Sequence, residues 1–407
     1  MAACNFSSGV VESKYGVQYN SSEELASVVL FQCYPEALLQ FASACCVVFM
    51  LIGIPGNLTT IVALARYKKV RNATAIFIMN LHASDLIFNC FILPMTAMTF
   101  VKGSWTHGWV MCRLYAYFKF VLSSSSLSSV VAISINRYVI VCHPLIYPRM
   151  YTKRIITIII CIIWASALAM FVAPNFGAMG RFDLEPNEGF CTMMPDSNGS
   201  SPKNVFVIGF ALPYLIIVFC YARIWWVVKT AKKVQNNSPR ATQPTQLPLT
   251  QTQADKIKEE NTVTSCDPSS PDSIYSTSDN DKEPTPADTS APQSPREDNV
   301  LIKYFKAPFR HTRKLVRRKV PSSRDKRLCA MIVVIMISHC FSHVPVMVTR
   351  LAYKEFKTKP VLNVFSHLLL FSGTCINPII YVLMSKEYRQ AYKSLFESII
   401  KKFRHSN

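Results

Sequence analysis

Seven stretches of about twenty or more largely apolar residues run along this chain, separated by polar segments that carry most of its Pro, Lys and Arg. They are approximately Leu38–Leu64, Ala75–Phe100, Val110–Cys142, Ile155–Pro174, Val205–Val228, Leu328–Leu351 and Val361–Met384. At about 1.5 Å per residue, some twenty helical residues cross the hydrocarbon of a bilayer. Several runs are rich in β-branched residues and read locally as buried strands, but their length decides for helices. The pattern predicts an all-α membrane protein, a seven-transmembrane helix bundle. Past the last run, Tyr388, Tyr392, Leu395, Phe396, Ile399 and Phe403 recur at helical spacing between Lys386, Arg389, Lys393, Lys401 and Lys402. That predicts an amphipathic eighth helix on the inner leaflet.

The organisation that follows is a tail over 1–37, five helices over 38–228, a long loop over 229–327, two helices over 328–384, and the amphipathic segment 385–407. Within the loop, 235–298 is rich in Ser, Thr, Pro, Asp and Gln, a composition that buries too little to repay ordering. Its Ser238-Pro239, Ser270-Pro271, Thr285-Pro286 and Ser294-Pro295 pairs are candidate phosphorylation sites, or chance dipeptides in a spacer. By contrast, 301–327 mixes eleven basic residues, from Lys303 to Arg327, with Tyr304, Phe305, Phe309 and Leu315. Basic and aromatic residues beside a membrane suit an interface with anionic lipid; a calmodulin-type target is the sharper alternative.

Charge then orients the bundle. The N-terminal tail sets Lys14 against Glu12, Glu23 and Glu24, whereas the first inter-span loop holds Arg66, Lys68, Lys69 and Arg71 and the third holds Arg149, Lys153 and Arg154. The positive-inside rule puts these loops and the C-terminus in the cytoplasm and the N-terminus outside. Lys354, Lys357 and Lys359 run against the trend without overturning it. Only 17% of residues are charged, against about a quarter in soluble proteins. The net charge of +20 is explained by topology and anionic lipid, with no nucleic acid required. Met1–Ser27 lacks an apolar core behind a basic start, so the first span is expected to serve as the insertion signal. The sequons at Asn5, Asn20 and Asn198 fall on the expected outside and are candidate glycan sites; the one at Asn57 lies within a span. Of the 14 cysteines, Cys4, Cys33, Cys112 and Cys191 lie on that oxidising side. Cys112 opens the third span and Cys191 sits in the loop between spans four and five, so they are the first-choice pair; Cys4–Cys33 is a second candidate.

Polar groups inside apolar spans are costly, so each marks a candidate function. The landmarks, one set per span, are Gly56-Asn57, then Leu81-His82-Ala83-Ser84-Asp85, then Trp105 before Cys112 with Asn136-Arg137-Tyr138 closing span three. Trp164, Pro213 with Tyr221, Pro345, and Asn377-Pro378-Ile379-Ile380-Tyr381 follow in order. Together they resemble a rhodopsin-like (class A) G-protein-coupled receptor across the whole membrane portion. Asn136 in place of the usual acid, Cys142-His143-Pro144, Gly373-Thr374-Cys375-Ile376-Asn377-Pro378 and Arg389-Gln390-Ala391-Tyr392 resemble the subgroup of trapped-in-endoderm and moody receptors, melatonin receptors and the medium-chain fatty-acid receptor.

The resemblance implies roles for particular residues. Arg137, with Asn136 and Tyr138, is expected at the G-protein side; lacking a neighbouring acid, Arg137 would be held by Asp325 at the inner end of span six, unless Asp325 only solvates among basic neighbours. Tyr221, Pro345, Asn377, Pro378 and Tyr381 are implied in activation, with Tyr221 and Tyr381 as plain interfacial aromatics the alternative. Asp85, Ser126 and Asn377 resemble the family's allosteric sodium site, the alternative being a protonated Asp85 in a polar core. Lys119 stands where amine receptors of the family carry an aspartate, which favours an anion; Arg350 is expected on the same pocket with Tyr115 and Phe118. Snorkelling and interfacial anchoring are the plainer readings of the two cations. His343 replaces the usual span-six tryptophan and is expected near the ligand, with His339 a candidate partner. An opsin's Schiff-base lysine has no counterpart, since Phe371 occupies the matching position.

The function implied is a plasma-membrane receptor that turns binding of an extracellular ligand, such as an acidic lipid or other carboxylate, into activation of a heterotrimeric G protein. No enzymatic activity is expected, nor a cofactor beyond the sodium ion. Kinases, arrestin and membrane lipids are the further partners. The competing readings are a non-coupling decoy or scaffold receptor and, further off, a transporter.

Overall fold

The apolar runs have nowhere to satisfy their backbone polar groups except within themselves, which is why they close as helices. The structure, a computed structural model, describes residues 19, 21–31, 34–67, 72–176, 180–186, 188–195, 203–237, 323–351 and 359–406. In chain order these form α1 (Ser22–Ser27), α2 (Glu36–Arg66), α3 (Ala73–Lys102), α4 (Trp109–Cys142), α5 (Tyr147–Met150) and α6 (Lys153–Met170). A 3-10 turn at Ala173–Phe176 leads to β1 (Arg181–Glu185) and β2 (Phe190–Met194). Then come α7 (Lys203–Asn237), α8 (Ser323–Leu351), α9 (Pro360–Met384) and α10 (Lys386–Ser406). Seven of the described helices are long and apolar enough to cross a membrane, each matching an expected span to within a few residues except α7, which runs on to Asn237. Local chemistry sets several ends. Asn72 and Thr152 cap α3 and α6 by accepting from the N–H groups of Ala75 and Ile155, and Gly103 ends α3 in the left-handed conformation.

The long helices pack in sequence, α2 on α3 and α3 on α4, and the ring closes through α8 on α9 and α9 on α2. Among the seven, α4 and α3 are the most enclosed, so their polar residues are the ones shut away from lipid. Close backbone approach depends on small residues. A Cβ at Gly53 would come within 2.7 Å of Asn89 on α3, and one at Gly373 within 2.8 Å of Ser342 Oγ on α8. Helix α10 is present and turns Tyr388, Ala391 and Leu395 inward, where Tyr392 meets Thr60 of α2 at 2.5 Å. Its Phe396, Ile399 and Ile400 stay exposed.

One described element departs from the all-α expectation. Strands β1 and β2 pair antiparallel, from Arg181 opposite Met194 to Glu185 opposite Phe190, and lie over α4. They were hidden in what reads as a loop because a short strand pair carries little periodic signal. Both strands are almost wholly buried, since segment 19–31 covers them: Leu25, Leu30 and Phe31 are buried, and Trp109 Nε1 donates to the Tyr19 carbonyl at 3.1 Å. The Cys112–Cys191 disulfide forms as expected and ties β2 to the start of α4. Cys4, Cys33, the sequons at Asn5, Asn20 and Asn198, and the loop over 238–322 with its Ser/Thr-Pro pairs and most of its basic stretch lie outside the described residues.

Candidate functional site

The hairpin turn carries a glutamate into the bundle. The turn reads Pro186-Asn187-Glu188-Gly189; Gly189 has φ +77 and donates its N–H to the Glu185 carbonyl at 2.8 Å. Only glycine takes that backbone without strain, and Phe31 packs so closely that any Cβ there would collide with its ring. Glu188 is thereby aimed between α8 and α9. Arg350 Nη2 donates to Glu188 Oε2 at 2.6 Å, and His367 Nε2 lies 3.8 Å from the same oxygen. Burial alone pushes the Glu188 carboxyl up, but its charged neighbours, Arg350 above all, outweigh it and hold it below its ordinary value. Arg350 therefore reaches the expected pocket and already has an anion there, from a residue that motif reading passed over. The signal was available: Pro-Asn-Glu-Gly is a strong turn sequence three residues short of Cys191.

Lys119 is in a different position. It is 3% exposed, its Nζ has no hydrogen-bond partner, and it lies 5.6 Å from the Tyr115 ring centroid and 5.3 Å from that of Phe190. Ring faces attract a cation but do not replace an acceptor, and a buried ammonium without one is costly. So Lys119 does not snorkel: it is enclosed. Tyr115, fully buried, is bonded to Thr96 at 2.8 Å and stands against Trp105 and Phe190. Phe118 departs from expectation, since it packs edge-on against Phe91 and Tyr117 and is only half-buried. A helix turns about 100° per residue, so Phe118 and Phe120 flank Lys119 on opposite sides; Phe120, also expected near the ligand, is buried, stacked on Phe171 and Phe182 and 5.7 Å from the Arg350 guanidinium. His343 is buried, and its Nδ1 donates to the His339 carbonyl at 3.1 Å while the two rings stack 5.4 Å apart. His339 is thus a neighbour through its ring and backbone. Phe371 is buried against Phe88 and His367.

Mid-bundle, the expected polar set does come together. Ser126 Oγ donates to Asp85 Oδ1 at 3.0 Å, and Asn377 Nδ2 donates to Asp85 Oδ2 at 2.8 Å. Asn377 Oδ1 is buried with no hydrogen-bond partner. Carboxylate, hydroxyl and amide oxygens are hard donors, and an orphaned oxygen beside them suits a sodium ion. No group of three or more His, Cys, Asp or Glu suited to a metal occurs among the described residues, so any cation here would rest on a single carboxylate. The network continues through α2: Asn57 donates to the Thr374 carbonyl at 2.9 Å and accepts from His82 Nδ1 at 2.6 Å. Pro378 packs against Gly56, where a Cβ would come within 3.2 Å.

At the opposite end, Arg137 is buried and its Nε has no hydrogen-bond partner. Asn136 does not turn to it; its Oδ1 accepts from Thr74 Oγ1 of α3 at 2.6 Å. Tyr138 bonds to His143 at 3.0 Å. Tyr381 is fully buried, with its ring 5.2 Å from those of His82 and Tyr388, and Tyr221 is half-buried. Pro345 lies inside α8 and Pro378 inside α9. Asp325 falls in the first turns of α8, but its side chain lies outside what is described, so the Arg137–Asp325 pair has no geometry here.

Comparisons agree with this layout. The chain is 34% identical over 372 residues to the G-protein coupled receptor moody of Drosophila pseudoobscura pseudoobscura, covering 89% of this chain and 53% of that one. It is 28% identical over 367 residues to Protein trapped in endoderm-1 of Drosophila melanogaster, covering 89% and 79%. Human melatonin receptor type 1B is 30% identical over 191 residues, covering 47% and 52%. The chain thus spans about half the length of the moody relatives it matches. Squid rhodopsin superposes with a TM-score of 0.63 at 20% identity, covering 91% of this chain and 88% of that one, a likeness of fold. Residues 56–381, from Gly56 to Tyr381, match the family described as 7 transmembrane receptor (rhodopsin family), and the chain belongs to it.

Proposed function

We propose that the protein is a plasma-membrane G-protein-coupled receptor, N-terminus outside and C-terminus cytoplasmic, that converts binding of a ligand with an anionic group into activation of a heterotrimeric G protein. The observation that carries the ligand class is Lys119, an ammonium enclosed by Tyr115 and Phe190 with no acceptor of its own. An acidic lipid or another carboxylate on an apolar body supplies the missing counter-ion and fills an aromatic surrounding. Coupling is supported by the family and by relatives named as G-protein coupled receptors. The ligand biases a pre-existing equilibrium toward a form in which α8, kinked at Pro345, swings away and frees Arg137 for the G protein. A sodium ion at Asp85, Ser126 and Asn377 would favour the resting form by adding charge to that network. Helix α10 lies on the inner leaflet in this reading, with Phe396, Ile399 and Ile400 toward lipid. Receptor kinases and arrestin act on the same cytoplasmic side, glycans occupy the outer sequons, and no catalytic step is involved.

Two measurements test it. Nucleotide exchange on G proteins in isolated membranes should rise with a panel of acidic lipids and carboxylates and be lost in Arg137→Ala. Binding without exchange in the wild type would instead mark a decoy or scaffold receptor. Lys119→Ala should weaken the active anion at least about tenfold, the equivalent of some 1.4 kcal/mol. An agonist that keeps its full potency in Lys119→Ala ends the anion-anchor reading.

A further inference from the structure

The basic cluster at the hairpin end is unevenly served by its one acid. Glu188 accepts from Arg350 at 2.6 Å and stands 3.8 Å from His367 Nε2, whereas Lys119 Nζ has no hydrogen-bond partner. His367 Nδ1 faces the Asn363 carbonyl at 2.9 Å, so the proton of the neutral ring is on Nδ1 and Nε2 is a lone pair. Lys119 and Arg350 against Glu188 leave a single positive charge uncompensated, and it sits on Lys119.

We propose that Glu188 determines charge specificity: it occupies the Arg350–His367 side of the basic cluster as a tethered carboxylate and limits the ligand to one negative charge, delivered to Lys119. The ligand class is then a monoanionic amphiphile, such as a fatty carboxylate. A phosphate monoester or a 1,1-dicarboxylate such as an alkylmalonate is disfavoured because its second charge meets Glu188 where little water screens the repulsion. This rests on Lys119 being the anion anchor. The carboxylate is a fixture of the pocket. It sits on a turn closed by the Gly189–Glu185 hydrogen bond, three residues from a disulfide to α4, under the packed ring of Phe31. It also stays ionised at neutral pH, since its basic neighbours outweigh its burial.

The test uses full-length receptor in nanodiscs and reads the concentration of decanoate, octylmalonate, decyl phosphate and neutral decanol that produces half the maximal rise in Tm. Wild type should respond to decanoate at least about tenfold below decyl phosphate or octylmalonate. Glu188→Gln frees Arg350 for a second charge and should reverse that order, decyl phosphate now leading. Arg350→Gln releases Glu188 toward Lys119 and should weaken decanoate at least about tenfold while leaving decanol unmoved. A hairpin that is only structural would shift all four compounds together. Should Glu188→Gln fail to fold, the Arg350→Gln result decides alone: unchanged decanoate overturns the proposal. If Lys119→Gln abolishes the decanoate response but Glu188→Gln keeps the wild-type order, the specificity role falls and the anchor stands. If no anion shifts the wild type, or Lys119→Gln responds in full, both fall.

Discussion

Asn136 shows how a single side chain can change its duty. Where relatives of the family carry an acid, a carboxamide cannot neutralise Arg137, and here it bonds to Thr74 and ties α4 to α3 instead. Thr74→Val removes this donor while Tyr151 remains a hydrogen-bonding neighbour of Asn136, so the loss is that of one hydrogen bond, about 0.5–1.5 kcal/mol. If the tie belongs to the resting form, basal nucleotide exchange rises in Thr74→Val and is restored in Thr74→Ser. The Asp325 lock makes a parallel prediction: Asp325→Ala should raise basal exchange, and an unchanged baseline would mean Arg137 is held some other way. Glu188 supplies a pH prediction. A carboxyl held below its ordinary 4.5 stabilises the fold fully above that value and loses its contribution as pH falls beneath it. The groups facing it are the cations Arg350 and Lys119 and the imidazole of His367, neutral at pH 7. The Tm difference between wild type and Glu188→Gln should therefore be level near neutrality and shrink below about pH 4.5.

The elements meet where side chains are small. Helices α8 and α9, carrying Pro345 and the Asn377-Pro378 pair, approach at Gly373 and Ser342. A methyl at Gly373 would stand 2.8 Å from Ser342 Oγ, so Gly373→Ala should destabilise by about 1–3 kcal/mol through overpacking. Pairing it with Ser342→Ala, which deletes the nearest atom, should recover much of the lost Tm. No recovery would show that the strain lies in the backbone. The length of the apolar runs foretold both helices, yet it is silent on which faces touch, because many rotations satisfy an apolar span in lipid. The hairpin was less legible still. Its strands are short and buried, and although Pro-Asn-Glu-Gly marks the turn, their antiparallel register is set by contacts with α4 and the N-terminal segment that local pattern does not carry.

Across the whole molecule, the end that holds Lys119 is closed by the hairpin, the 19–31 segment and the Cys112–Cys191 bridge. At a sequence separation of 79, those cysteines restrict the unfolded chain by about 4.5 kcal/mol on the chain-entropy account. Cys191→Ser should lower Tm and loosen the decanoate response, since Glu188 and Phe190 lose their seat over α4. A variant with wild-type Tm and ligand order would show that the 19–31 cover holds the hairpin by itself.

Much of the molecule was written in local patterns. Seven apolar runs dictated seven helices, because lipid leaves the backbone no other partner. The spaced motifs brought Asp85, Ser126 and Asn377 together as expected, since each sits at a set height on a helix whose length the bilayer fixes. Contacts that depend on rotation and on distant chain segments were not legible in this way. Phe118 turned out of the pocket, Asn136 chose Thr74, and a glutamate in an unremarked loop took the counter-ion place that an outside ligand was expected to fill at Arg350. Composition and periodicity report how much a residue resists water, and they do so locally. Which charge neutralises which is decided by tertiary structure, because a buried ion pair needs both partners within about 3 Å, and Glu188 and Arg350 reach 2.6 Å only once the hairpin is folded over α4.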